Sequence, residues 1–285
     1  MFDEIPRILD NRLITMVSDI DYAEALNRQA AAAGLIIPVH LKVDTGMGRM
    51  GCPTSSAPDL ARCIAGCTAL KYDGTATHFA SSDSARPDDI AYTQQQLERF
   101  HQVLNDIRAL GLDPGIVHAA NSGAVLLHPD SWFDMVRPGI LLYGYNAVSE
   151  ACPFPVQPVM ELRSNIVFIK QVKKGESLSY GRTWQAPHDT VAAVIPAGYA
   201  DGLPRLASNR WQVLINDRLY PLAGSICMDQ CLADLGPETT VKRWDEVSLF
   251  GGKAPDAAEL AATTGTIPYE ITCNINKRVP RVYIE

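Results

Sequence analysis

No run of apolar residues in this 285-residue chain approaches the roughly 20 that cross a bilayer, so no membrane partner is expected. Met1-Phe2-Asp3-Glu4 is acidic where a secretory leader would be basic, and a cytoplasmic location is expected. An excess of positive charge is missing too: 25 Lys and Arg stand against 32 Asp and Glu, for a formal net charge of −7. Without a basic field nothing gathers a polyphosphate chain, which argues against a nucleic-acid partner and for a small metabolite. The seven cysteines, Cys52, Cys63, Cys67, Cys152, Cys227, Cys231 and Cys273, include no C-x-x-C pair. Cys63/Cys67 and Cys227/Cys231 lie four apart, but no histidine or second cysteine pair completes a set, so buried reduced thiols are expected and no metal. What is present is ordinary: 47% hydrophobic and 20% charged residues describe a folded chain, long enough for two domains or a barrel with an addition.

From residue 13 to about 144, short apolar runs alternate with helical stretches. The runs are Leu13 to Val17, Val39 to Val43, Leu70 to Thr77, Ile116 to Ala119 and Met135 to Leu142. One helix is expected after Ser18, with Ser18 and Asp21 as a capping box and Gly34 as its stop. A second is expected from about Asp88 to Leu110, with Ile90, Leu97, Phe100, Leu104 and Ile107 on one face and Gly111 after it. Strand–helix–strand repeats of this kind give a parallel sheet or barrel. After the stretch Pro153 to Pro158, strand-like runs follow without long helices: Asn165 to Val172, Thr190 to Pro196, Trp211 to Ile215, Leu219 to Ala223 and Glu246 to Phe250. Asn216-Asp217 reads as a two-residue hairpin turn. The expectation is an α/β fold in two domains, a (β/α) barrel part over residues 1–150 and a mostly β domain over 151–285. Five strand units fall three short of the eight that close a barrel.

The segment H-L-K-V-D-T-G-M-G-R-M-G, His40 to Gly51, places Lys42, two glycines and Arg49 at a strand end, where two cations can face one anionic ligand. A Gly-rich turn with solvated charges is its plainer reading. Other strand ends carry His78, then His118 with Asn121 and Ser122, then Arg137 before Gly139. A lone histidine there is commonly a hydrogen-bonded core residue, and Ser122 before Gly123 is commonly an N-cap, although a serine at a helix start also holds phosphate. Arg137 in an apolar strand is harder to dismiss, because a buried guanidinium demands acceptors. In the second half, L-S-Y-G-R-T-W (Leu178 to Trp184), G-Y-A-D-G (Gly198 to Gly202) and S-I-C-M-D-Q (Ser225 to Gln230) carry Tyr180, Tyr199 and Asp229. Locally the tyrosines read as strand aromatics. A tyrosine works as a base only beside a cation, and nothing local supplies one.

Together with V-R-P-G-I and the closing Y-E-I-T-C-N-I-N-K-R-V-P-R, these motifs in this order resemble the pyridoxal-phosphate-dependent alanine racemases, from about residue 3 to the C-terminus. The resemblance implies a (β/α)8 barrel of TIM type followed by a β domain, in a homodimer whose active sites are shared between chains. It implies that L- and D-alanine are interconverted by two-base proton transfer, supplying D-alanine for the cell wall. By the same resemblance, Ser122, the amides of Gly139 and Ile140, and the Tyr269 hydroxyl hold the cofactor phosphate. Arg137 faces the pyridine nitrogen and opposes its protonation, which weakens the electron sink and restrains side reactions. His78 lies between Arg137 and the base, Tyr180, which arrives from the partner chain. Arg49 contacts the cofactor's phenolic oxygen and the substrate carboxylate, and Lys42 matches a carbamylated lysine that orients it. Met228 and Asp229 line the substrate side, and Tyr199 the entrance.

One element of that pattern is absent. The family's Schiff-base lysine sits in a motif of the type V-K-A-x-A-Y-G-H-G, and none of the eight lysines here has that context. The missing lysine and the three missing strands describe one loss of roughly 90 residues, at about 30 per unit. The resemblance therefore implies an N-terminally truncated racemase, inactive alone. Alternatives are a broad-specificity amino-acid racemase and a non-catalytic dimeric remnant that keeps the phosphate cup.

Overall fold

The computed structural model describes residues 2–148 and 155–284, so Cys152 and the expected boundary at residue 150 lie outside the described residues. The chain forms two compact units: the main run of the first ends at Leu142, and that of the second begins at Val156 and also takes in Tyr143–Tyr145.

The first unit runs α1 (Ile5–Asp10), β1 (Thr15–Val17), α2 (Ile20–Ala32), β2 (Ile37–Asp44), β3 (Cys52–Pro53), α3 (Ala57–Gly66), β4 (Leu70–Ala76), α4 (Pro87–Ala109), β5 (Ile116–His118) and α5 (Ser122–Leu127). Its sheet is parallel in the order β1-β2-β4-β5, with β3 paired to the end of β2. Strand side chains alternate between faces. On β2 this sends Ile37, Val39, Leu41 and Val43, all essentially buried, into one core with Leu26, Leu60 and Ile64 from the helices. The same alternation turns His40 and Lys42 to the opposite face, and that decision positions the site.

The second unit holds β6 (Leu162–Asn165), β7 (Phe168–Val172), β8 (Ser177–Leu178), β9 (Trp184–Gln185), β10 (Thr190–Ile195), β11 (Gln212–Ile215), β12 (Arg218–Pro221), β13 (Cys231–Gly236), β14 (Glu246–Phe250), α6 (Ala257–Thr264) and α7 (Pro268–Cys273). Its sheets, β13-β10-β7 and β12-β11-β14-β6, are antiparallel and joined by a bridge between Leu222 and Ala233. Asn216 and Asp217, at φ 49° and 58°, make the expected β11–β12 turn.

Several expectations need correction. The cap of α2 is Asp19, whose carboxylate accepts from the Tyr22 amide, and not a Ser18/Asp21 box. Asn121, not Ser122, caps α5; it accepts from the Ala124 amide. Met135 to Leu142 is not a strand. The backbone meets β5 and the turn after it only at Asp134 N–H to Val117 O and Arg137 N–H to Ala120 O among the described backbone bonds, and Pro138 has no N–H with which to continue a ladder. Asn165 to Val172 is two strands in two sheets: the Ile166 amide donates to Asp245, while the Val167 amide donates to Val194. β13 was not expected at all. Among the thiols, Cys52 and Cys231 are buried and pushed up to about 11 and about 12 by desolvation, whereas Cys273 is exposed. Among the described residues no helix is long and apolar enough to cross a membrane, and no group of three metal-ligating side chains occurs.

Candidate active site

A cavity of about 240 Å³ opens on the non-helical face of the first unit's sheet, lined by Lys42, Met47, Arg49, Thr77, His78 and Arg137. Three cations and no carboxylate line it, so an anion is the ligand its field favours.

Arg137 is the hub. Its Nη2 donates to the carbonyls of Thr77 at 2.9 Å and Ala119 at 3.0 Å and lies 3.1 Å from Nδ1 of His78; its Nη1 lies 2.6 Å from Nδ1 of His118. These are the acceptors that a desolvated guanidinium demands. Arginine only donates, so both imidazoles present lone pairs to it and are neutral. Desolvation, and then the Arg137 charge, hold His78 down to about 4 and His118 down to about 3. His118 in turn meets a third imidazole, with its Nε2 2.8 Å from Nδ1 of His40.

Lys42 donates to the carbonyls of Val43 at 2.9 Å and Met50 at 3.2 Å, anchoring the loop that carries Arg49. The Asp44 carboxylate braces that loop by accepting from the amides of Gly46 and Gly48. Burial first, then Arg137 and Arg49, lower Lys42 to about 8 against the opposing pull of Asp44.

Ser122 is buried at the start of α5, and its Oγ accepts from the Leu141 amide at 3.4 Å; a Cβ on Gly139 would lie 3.9 Å from that oxygen. The Gly139 to Leu141 segment is thus folded against Ser122. The Gly139 amide already donates to the Arg137 carbonyl at 2.9 Å.

The second unit gathers the other candidates. Tyr180 is 73% exposed and follows Ser179, which adopts φ 62°, ψ −175°, a region essentially reserved for glycine. The Ser179 hydroxyl donates to the Ser225 carbonyl at 2.5 Å, and the Ser225 hydroxyl donates to the Tyr180 carbonyl at 2.9 Å. The Tyr199 and Ala200 amides donate to the carbonyls of Cys227 and Met228 at 3.1 and 2.9 Å. Gly198 permits that approach, since a Cβ there would sit 2.3 Å from both oxygens. Arg278 closes the set, donating from Nε to Asp201 and from Nη2 to Asp229, each at 2.7 Å. Tyr180 and Tyr199 therefore stand on two loops that each pack on the Ser225 to Gln230 loop carrying Met228 and Asp229. Tyr269 lies on α7 of the same unit.

Sequence reasoning did not single out His40, Ser179, Asp201 or Arg278. All four lie inside the motifs quoted above, and their polar partners are the signal that sequence spacing does not display.

A parallel α/β sheet with a cationic pocket on its strand ends, joined to an antiparallel β unit carrying tyrosines, defines a two-domain protein of the barrel-plus-β class. Family profiles described as "Alanine racemase, N-terminal domain" and "Alanine racemase, C-terminal domain" match residues 2–147 and 159–283, and the chain belongs to the alanine racemase family. An alanine racemase of Treponema denticola is 44% identical over 292 residues, covering 100% of this chain and 77% of that protein. The structure of the Clostridium difficile 630 alanine racemase superposes with a TM-score of 0.93 at 32% identity, covering 100% of this chain and 74% of that one. The Streptomyces coelicolor A3(2) alanine racemase gives 0.90 at 37% identity, covering 98% and 75%. The fold is that of this family, a TIM-barrel-like N-terminal domain and a β C-terminal domain, and its members are amino-acid racemases, hence isomerases.

Proposed function

We propose that this chain racemizes alanine with pyridoxal phosphate, in a homodimer in which Tyr180 of one copy serves the barrel unit of the other, with the 1–150 and 151–285 halves as its two functional domains. The observation that carries this reading is the Arg137 hub: a fixed cation with two neutral imidazoles facing it in an anion-favouring pocket.

The residues present fit the cofactor. The four contacts of Arg137 leave one Nη1 hydrogen and the Nε hydrogen unused, which suits an unprotonated ring nitrogen as acceptor. Ser122 Oγ, with Gly139 and Ile140 folded against it, suits a phosphate, and Tyr269 would add its hydroxyl. When bound, pyridoxal phosphate supplies an electron sink that acidifies the Cα hydrogen of alanine.

Each side chain then has one task. Arg49 binds the substrate carboxylate. Lys42, lowered by burial to about 8 so that a fraction of it is neutral, adds that amine to carbon dioxide and releases a proton, which turns a repelled cation into a carbamate anion that orients Arg49. Tyr180 holds or delivers the proton at its phenolic oxygen on one face of Cα. Its acidity is raised by Arg137 through His78, whose Nδ1 is committed to Arg137 and whose Nε2 carries the remaining hydrogen. Met228 and Asp229 limit the side chain sterically, and Tyr199 guards the entrance. The second base is the family's lysine, for which these 285 residues hold no equivalent context, so the chain alone is read as inactive. Six unpaired thiols among the described residues and the acidic charge support a cytoplasmic enzyme supplying D-alanine for the cell wall.

The test joins a segment bearing the family's V-K-A-x-A-Y-G-H-G motif ahead of residue 1 and measures D-alanine formed from L-alanine. Appearance of racemization is expected; a folded, cofactor-loaded dimer that stays inactive overturns the reading. In the active form, Tyr180→Phe is expected to slow Cα hydrogen exchange of L-alanine by about 10²–10⁴-fold and that of D-alanine far less. Equal slowing removes Tyr180 from its role.

A further inference from the structure

His40 is a buried histidine that the racemase reading leaves unused. It sits on the cavity-facing side of β2, 5% exposed, opposite Gly74 of β4 in the parallel register, where the pairing shifts by one residue. A Cβ at Gly74 would approach Nδ1 and Cε1 of His40 to 2.8 Å. Only the missing side chain lets the ring lean across β4 toward His118 on β5, with 5.0 Å between ring centroids. The pair is therefore built by register, by an interruption in the ladder and by a glycine, at positions 78 residues apart.

The direction of every hydrogen bond in the chain follows from one end. The Arg137 guanidinium has no acceptor, so His118 Nδ1 carries no hydrogen. Neutral His118 then has its hydrogen on Nε2 and donates it to His40 Nδ1, and neutral His40 has its own hydrogen on Nε2. That last atom is buried and has no partner among the described residues. A buried unsatisfied donor calls for an explanation in a native protein. We infer that His40 is a positioning residue: as the terminal acceptor it pins the His118 ring against Arg137, and so holds the guanidinium in the rotation that leaves its unused hydrogens for the pocket.

The inference rests on the reading of Arg137 as the group that faces the cofactor, but its test does not. Long-range ¹H–¹⁵N correlation on the folded 285-residue chain, without cofactor, reports which nitrogen of each of the six histidines carries hydrogen. His40 and His118 are expected as single, neutral Nε2–H tautomers at pH 7. An Nδ1–H form or a doubly protonated ring at either position overturns the chain. In His40→Leu, His118 is expected to lose its single-tautomer signature, and in His40→Asn, where the amide oxygen replaces the Nδ1 lone pair, to regain it. An unchanged His118 in His40→Leu overturns the positioning role. Failure of the chain to bind pyridoxal phosphate with these tautomers intact overturns only the proposed function.

Discussion

The hydroxyl of Ser179 donates to the carbonyl of Ser225 at 2.5 Å, and this bond secures a glycine-like backbone on a serine immediately ahead of Tyr180. Strain of this kind costs of order 1–3 kcal/mol and persists only where its surroundings dictate it. Here they do: Gly224 packs on the Leu178 carbonyl and the Ser179 Cβ, and a side chain at 224 would meet both below 3 Å.

Ser179→Ala keeps the strain and loses the bond, so a loss of about 1 kcal/mol is expected in denaturant unfolding. Ser179→Gly loses the bond and relieves the strain, and should come out closer to wild type. If the alanine variant proves the more stable of the two, the strain is not what the hydroxyl opposes.

The pH dependence of stability follows from His78 and His118. Both have folded pKa values depressed below 6.5, to about 4 and about 3, first by burial and then by Arg137. The unfolded chain takes up these protons first as pH falls. Stability present above about 6.5 should therefore be lost progressively down to between 4 and 3 and level off below. A tenfold change in proton affinity is worth about 1.4 kcal/mol, so the two rings account for several kcal/mol at most. Chemical unfolding of wild type and His118→Asn at pH 7 and pH 4.5 checks it: the variant should lose less on acidification, and parallel losses would remove His118 from the cause.

Lys42 should become carbamylated in bicarbonate. Its pKa near 8 leaves a reactive neutral fraction at ordinary pH that a solvated lysine lacks. A ¹³C carbamate signal is expected in ¹³C-bicarbonate, growing as pH rises toward 8 and absent in Lys42→Arg. An unmodified wild-type lysine in the completed, active enzyme rules the carbamate out.

Arg278 reaches two carboxylates from two different nitrogens, Nε to Asp201 and Nη2 to Asp229. The point charge of a lysine cannot reproduce that fork. In the completed enzyme, Arg278→Lys and Arg278→Ala are both expected to raise KM for alanine several-fold with a smaller change in kcat, because the Tyr199 and Met228 loops lose a shared anchor. Full rescue by lysine would show that charge alone matters.

Much of this was legible from local pattern. The period-two alternation of Ile37–Asp44, the stops at Gly34 and Gly111, and the Asn216-Asp217 turn each depend on a few neighbouring residues, so spacing alone reveals them. The helix expected from Asp88 to Leu110 is α4, one residue longer at its start and one shorter at its end. β13 was missed although Cys231, Ala233 and Leu235 alternate as buried residues, because its run is interrupted by Asp234, whose partner, the Thr190 hydroxyl, lies 44 residues away. The split of Asn165–Val172 was illegible for a related reason: the switch between sheets is set by Asp245 and Val194, distant carbonyls that accept from adjacent amides.

The sequence by itself determined the family, through motifs whose order and spacing are a property of the chain, and it determined which residues carry charge and hydroxyls. Only the tertiary structure decided what those groups do to one another. That Arg137 finds two imidazole lone pairs, and that His118 finds His40 across Gly74, depends on strand register and on a missing Cβ. Hydrogen-bond direction is settled where a donor-only guanidinium meets a ring, and that meeting exists in space and nowhere along the sequence.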